Sequence, residues 1–364
     1  MLLRIAVGGS WRYYLGAGVF AGLATATKYP AGAILIAVAA AHLEARWREG
    51  GRNFLWRALG DARIYLAGVA AITATICASP YLVLNWAQTL HDFEFHRMSF
   101  RIGPVNPVAG YGWHWLMRYA MPDSFGVTLD VALIAGMLWA VLRPKPGTTS
   151  LVAFLWVAFV TITASLRTHY RYLVIPFPAM AILAGVAAAD LMHLAESKIG
   201  RTRAAAALAL LMTLILAPSV VRDVQLNRLL AQTDTRTLAR QWIVAHLPLD
   251  TTLASTSVSN FGNPQLPAGY RYEPVDDFQG LKANKIRWVI SDSLAPLAAY
   301  SPGASPAELS WLHDNATLVF DADPIAPNAT RAPVFDSADA FYAPLGNIAS
   351  MERPGPRIRI WEVK

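Results

Sequence analysis

Apolar residues gather into seven stretches, at about 14–27, 31–43, 64–84, 126–142, 149–166, 172–193 and 204–220, with one long polar connection at 85–125. A helix crossing a bilayer needs about 20 residues, or about 17 at the short end, so the third to seventh stretches predict spanning helices. The first two, of about 14 and 13 residues, reach only about 21 and 20 Å at 1.5 Å per residue. They predict two short helices meeting at Lys28-Tyr29-Pro30, because proline restricts the residue before it and removes a backbone donor. Beyond about Val220 the long apolar runs stop. A helix is predicted at 235–246, where Leu238, Trp242, Ile243 and Leu247 share a face. Strands are predicted at 252–255, 286–291, 317–321 and 357–363. Ser305-Pro306-Ala307-Glu308 reads as a capping box with proline at the first helical position, opening a helix through about His313.

The pattern therefore predicts a mainly α polytopic membrane protein, with a helical region over 1–220 and a small α/β domain over 221–364. Composition agrees with a membrane class: 55% of the residues are hydrophobic and 15% charged, against about 25% charged in soluble domains. A net charge of +7 raises nucleic acid as a partner, but the arginines are scattered through connections rather than forming a basic stripe interleaved with aromatics. No nucleic acid is expected. The lone cysteine, Cys77, permits no intrachain disulfide, and Met1-Leu2-Leu3-Arg4 does not open a cleavable signal.

Alternate connections differ in basic residues. One set holds Arg46, Arg48, Arg52, Arg57, Arg63, Arg143, Lys145, Lys198, Arg201 and Arg203; the other holds Arg97, Arg101, Arg118, Arg167 and Arg171. The richer set is expected on the cytoplasmic side of an inner (plasma) membrane. Lys28, the 85–125 loop, the 167–172 run and the α/β domain then face the extracytoplasmic side.

Several phrases, taken in order, carry a resemblance: Gly22-Leu-Ala-Thr-Ala-Thr-Lys28-Tyr-Pro, Arg171-Tyr172-Leu-Val-Ile-Pro176-Phe-Pro178, Asp234-Thr-Arg-Thr-Leu-Ala-Arg-Gln-Trp242-Ile, Phe341-Tyr-Ala-Pro and Arg353-Pro-Gly-Pro-Arg-Ile-Arg-Ile-Trp361. With the handover from spans to a terminal domain, the chain resembles the C-terminal two-thirds of a bacterial GT-C glycosyltransferase of the protein mannosyltransferase and aminoarabinose transferase group. The resemblance implies a polyprenyl-phosphate–sugar donor and inverting transfer to an acceptor glycan, lipid or protein outside the cytoplasm. It also implies a catalytic carboxylate in a first outer loop that has no counterpart here, so the chain is expected to be an N-terminally truncated reading or a fragment, inactive alone.

Arg167 and Arg171 are candidates to clamp the lipid phosphate, since guanidinium forks match phosphate oxygens. His169, Tyr170 and Tyr172 are candidates to add hydrogen bonds or flank the sugar, against the plainer reading of an interfacial aromatic belt. Lys28, at the apex of the short helices, is a candidate to neutralise the phosphate, against snorkelling to the interface. Residues 86–101 read first as an interfacial amphipathic helix. The sharper alternative makes Asp92 or Glu94 a divalent-metal or acceptor-activating carboxylate beside His91 or His96, whose five-residue spacing is poor for one helical face. Asp130, inside a stretch, would pair with an arginine of the cluster or face a cavity. In the tail Asp276, Asp277, Asp292, Asp321 and Asp323 lack calcium-loop spacing, and Asn315 and Asn328 stand in chance glycosylation sequons. Two other classes stay open: an anion or lipid transporter, and a non-catalytic membrane subunit.

Overall fold

The computed structural model describes the chain except residues 51–52, 102–109, 167–168, 257–261, 276–277, 279–280, 282–285, 294–304 and 336–343, with the backbone alone at 99–101 and 293. The chain forms two compact units, Met1–Pro218 and Ser219–Lys364.

The first unit is helical. Its longer helices are α1 (Trp11–Thr27), α2 (Ile34–Arg48), α3 (Ala62–Ala78), α4 (Trp86–Arg101), α5 (Val127–Leu142), α6 (Thr148–Ala164) and α7 (Phe177–Ile199); α8 (Arg201–Leu230) starts here and contains the unit boundary at Pro218. Fewer of these reach full spanning length than the apolar stretches suggest. Among the described residues, two helices, starting at Phe177 and Arg201, are long and apolar enough to cross a membrane, and the pair Gly112–Phe125 with α5 counts as a third only across a 118° bend. The shortening has local causes. Stretch 64–84 is cut at Ser79-Pro80, where α3 stops and a four-residue turn, Tyr81–Leu84, follows. Stretch 126–142 begins at the bend, where Gly126 takes φ 78°. Stretch 172–193 gains its helix only after Pro176, past a 3-10 turn over Tyr170–Val174.

Small residues set the packing. On α1, Gly18 and Gly22 lie one turn apart against Ala67 and Ala71 of the parallel α3. A Cβ built on Gly18 would stand 2.2 Å from the Ala67 carbonyl oxygen, and one on Gly22 2.2 Å from that of Ala71. This is the close approach that paired small residues allow in bilayers. Thr75 Oγ1 uses it, donating to Gly22 O at 3.1 Å. Gly136 of α5 meets Ala184 of α7 in the same way.

Polar contacts sort the connections to opposite ends of these helices. At one end Tyr14 Oη donates to His42 Nδ1 (2.7 Å) and His42 Nε2 to Ala58 O (3.0 Å). There Arg46 pairs with Glu49 and Asp61, and Arg63 with Asp61. Glu44 pairs with Arg48 and accepts from Gly147 N, while Lys145 pairs with Asp190. The richly basic connections 44–63 and 143–148 thus meet at one end, and Lys28 and His169 lie at the other.

The second unit is a mixed sheet of β1 (Thr252–Ser255), β2 (Arg271–Pro274), β3 (Trp288–Ser293), β4 (Ala316–Ala322) and β5 (Arg357–Val363) in the order β2-β1-β3-β5-β4, parallel across the first three and antiparallel across the rest. Helix α9 (Thr235–His246) covers one face, setting Ala239, Ile243 and Leu247 on Leu253, Ile290, Ile358 and Ile360. Helix α10 (Pro306–Asn315), opened by the Ser305–Glu308 capping box, sets Leu312 on the other face against Ala254, Val289 and Trp361. Two phrases quoted from the tail meet here: Thr235 Oγ1 donates to Pro356 O at 2.6 Å, and Gly355 takes φ +108° where a Cβ would strike Thr235 Oγ1 at 2.1 Å. Strand β2 was not anticipated. It is an exposed edge strand ending in proline, without apolar alternation.

Candidate functional site

A cavity of about 800 Å³ opens in the helical unit, lined by Ala26, Thr27, Lys28, Tyr29, Pro30, Phe93, His96, Arg97, His169, Arg171 and Tyr172. Three distant segments build it. Helix α1 ends at Thr27 because Lys28 turns extended (φ −156°, ψ 114°), and the chain re-enters as a 3-10 turn over Tyr29–Ala33 with Pro30 at its start. Gly32 seats that turn on the last coil of α1, where a Cβ would stand 2.9 Å from Thr25 Oγ1. The break puts Lys28 in the lining, where its N–H closes the last turn of α1 on Ala24 O (3.0 Å) and its carbonyl accepts from Ala31 N (2.9 Å) to start the 3-10 turn.

The second segment follows α6. His169 is extended, its carbonyl accepts from Tyr172 N at 3.1 Å, and the 3-10 turn it starts projects Arg171 and Tyr172. His169 is 3% exposed yet lines the cavity. Its ring packs edge-on to Tyr172, centroids 5.1 Å apart, and Lys28 Nζ stands 5.7 Å over the same tyrosine. The tyrosine face thus holds a cation by ring electrostatics. Helix α4 supplies the third segment. Phe93 packs on Tyr29 at 5.1 Å, which brings His96 and Arg97 to the lining, and Arg97 pairs with Glu94 at 2.5 Å. That carboxylate raises the Arg97 pKa further.

Of the residues singled out from sequence, Lys28, His96, His169, Arg171 and Tyr172 share this cavity. Tyr170 does not line it: it is buried, donates to Asp123 Oδ2 at 3.0 Å and stacks edge-on against Trp115, so it ties the 3-10 turn to the helices before α5. Asp92 and Glu94 also lie outside the lining; Asp92 accepts from Gln88 at 2.7 Å and Glu94 from Arg97. Asp130 is buried on the α5 face shared with Leu133, Gly136 and Ala140, makes no ion pair among the described residues, and is not in the lining. Arg167 lies outside the described residues.

Arg97, Tyr29 and Phe93 were not singled out. An aromatic–cation mixture on α4 reads in sequence as an interfacial helix, and only packing of Phe93 on Tyr29 turns it to the cavity. Among the described residues no group of three His, Cys, Asp or Glu could hold a metal ion. Cationic forks, imidazoles and phenols around one space suit an anion with hydrogen-bonding oxygens. Comparison with protein-family models, with curated proteins and with solved structures finds no match to this chain.

Proposed function

We propose that this cavity receives the phosphate of a polyprenyl-phosphate–sugar, and that the chain serves a membrane glycosyltransferase of the GT-C kind acting on the extracytoplasmic side. The observation that carries the reading is the meeting of Lys28, Arg97 and Arg171 in one space at the end of apolar helices opposite the richly basic connections. A lipid phosphate carries its charge at the end of a hydrocarbon tail, which suits a cationic space at the end of apolar helices. In the transfer, the acceptor oxygen bonds to the anomeric carbon, the carbon–oxygen bond to phosphate breaks, and the acceptor proton passes to a base. The departing lipid phosphate gains negative charge, which the three cations stabilise where it develops. His96 and His169 are placed to donate to its oxygens, and Tyr172 fixes the position of Lys28 by its ring.

The test is binding of polyprenyl phosphate, with polyprenol as control, to the full chain in lipid nanodiscs. Arg171→Ala is expected to weaken phosphate-lipid binding about 10- to 100-fold, the loss of one charge-assisted fork, leaving polyprenol unchanged. Equal affinity in wild type and variant sinks the reading.

A further inference from the structure

The α/β unit carries a polar edge that the cavity reading leaves unused. Its parallel strands lie in the order β2-β1-β3, so the chain leaves β1 to one side for β2 and passes back to reach β3 on the other. In open sheets such a reversal leaves a crevice at the carboxyl ends of the two strands, and ligands bind there. Both strands change character at that point. Strand β1 runs from Leu253-Ala254 into Ser255 and then Thr256; β3 runs from Val289-Ile290 into Ser291 and Asp292. Thr256 N continues the ladder to Ile290 O at 3.1 Å, which sets Thr256 beside Ser291.

Strand alternation places Ser255 and Asp292 on the face of Leu253 and Ile290, and Thr256 and Ser291 on the opposite face. None is at the surface: Ser255 is 4% exposed, Thr256 8%, Ser291 2% and Asp292 4%. Buried polar side chains are costly unless their hydrogen bonds are made. Ser255 Oγ donates to Asn263 Oδ1 at 2.8 Å, and Ser291 Oγ accepts from Trp361 Nε1 at 2.8 Å. Thr256 Oγ1 is sealed from solvent and has no hydrogen-bond partner among the described residues. A sealed hydroxyl at a strand end, beside a second hydroxyl and with a carboxylate one residue further along β3 on the other face, is a position that a ligand reaching over the strand ends would satisfy.

The side chains also indicate which ligand. Arg357 and Arg359 of the neighbouring β5 are engaged by Asp321 and Asp323. A carboxylate with hydroxyls repels phosphate but matches a sugar, whose hydroxyls donate to the carboxylate and accept from O–H groups. We propose that the carboxyl edge of β1 and β3 is a sugar-binding site formed by Thr256, Ser291 and Asp292. It goes beyond the lipid-phosphate reading and stands without it.

The experiment is saturation-transfer NMR on the full chain in nanodiscs, with glucose, galactose, mannose and arabinose at millimolar concentration. At least one sugar is expected to be saturated by the wild type. Thr256→Val, which keeps the side-chain shape, and Asp292→Asn are each expected to weaken it about tenfold, the loss of one buried hydrogen bond. If Asp292→Asn fails to fold, Thr256→Val decides alone. No saturated sugar in the wild type, or an undiminished signal in Thr256→Val, overturns the proposal. Arg171→Ala separates the two sites: a sugar signal lost in that variant puts the sugar in the helical cavity and overturns the proposal, and one retained there supports it.

Discussion

The two ends of the helical unit are both rich in cations, yet they use them differently. At the end holding residues 44–63 and 143–148, charge is spent on closure: Arg46 and Arg63 converge on Asp61, Arg48 on Glu44, and Lys145 on Asp190. At the other end Lys28, Arg97 and Arg171 surround a space of about 800 Å³, with aromatic rings between them. A cation beside a membrane segment is therefore a poor sign of function by itself. What separates the ends is partnering and room: Glu44, Asp61 and Asp190 take up the cations at one, and two 3-10 turns, at Tyr29–Ala33 and Tyr170–Val174, border the space at the other.

That contrast is broken most severely by removing the packing that holds both ends in register. Gly22→Leu would drive a side chain into the Ala71 carbonyl, where a Cβ alone would stand at 2.2 Å, and backbone cannot give way as a side-chain tip can. A loss of about 3 kcal/mol, the upper range for overpacking, is expected in denaturant unfolding of the detergent-solubilised chain. Unchanged stability would mean that α1 and α3 do not pack through their small residues.

A milder change separates the closed end from the cavity. Asp61 caps α3 by accepting from Arg63 N at 3.0 Å and holds the Arg63 and Arg46 side chains. Asp61→Ala is expected to cost about 0.5–2 kcal/mol, the range for a lost N-cap, with polyprenyl-phosphate binding intact. Affinity lost together with stability would show the two ends to be one cooperative site. The same residue gives a pH signature. Burial pushes the Asp61 carboxyl up, but hydrogen bonds and charge from Arg63 outweigh it and hold the pKa below the ordinary value. A depressed pKa contributes stability above about pH 4 that fades as pH falls through the folded value. Wild type should lose stability on that acid limb faster than Asp61→Ala.

How much of this was legible beforehand follows from the range of each signal. Local signals read true: Pro30 marked the end of α1, Ser305-Pro306-Ala307-Glu308 the start of α10, and the Leu238/Trp242/Ile243 face the span of α9. The charge cluster at 169–172 and Lys28 stood out because cations beside apolar runs are costly. Signals that depend on partners far along the chain did not. Arg97 joins Lys28 only because Phe93 packs on Tyr29, and Tyr170 turned from the cavity because Asp123 and Trp115 take it. Helix lengths misread for a different reason: hydropathy averages across Pro80 and Pro176, whereas the α-helix stops before the first and starts only after the second.

The smallest effect probes the boundary between pairing and lining. Arg97 belongs to the cavity, yet its guanidinium is bonded to Glu94 at 2.5 Å on the exposed surface of α4. Exposed ion pairs add little to stability, so Glu94→Gln is expected to leave the unfolding midpoint in place. Its consequence should appear in binding instead. With the carboxylate gone, the fork is no longer shared between Glu94 and an incoming phosphate, and polyprenyl-phosphate affinity in nanodiscs should tighten, more at low salt than at high because charge attraction is screened. Weaker affinity would mean the opposite arrangement, with Glu94 holding Arg97 in the orientation the phosphate needs, and the pair would then be a clamp of the same kind that closes the other end.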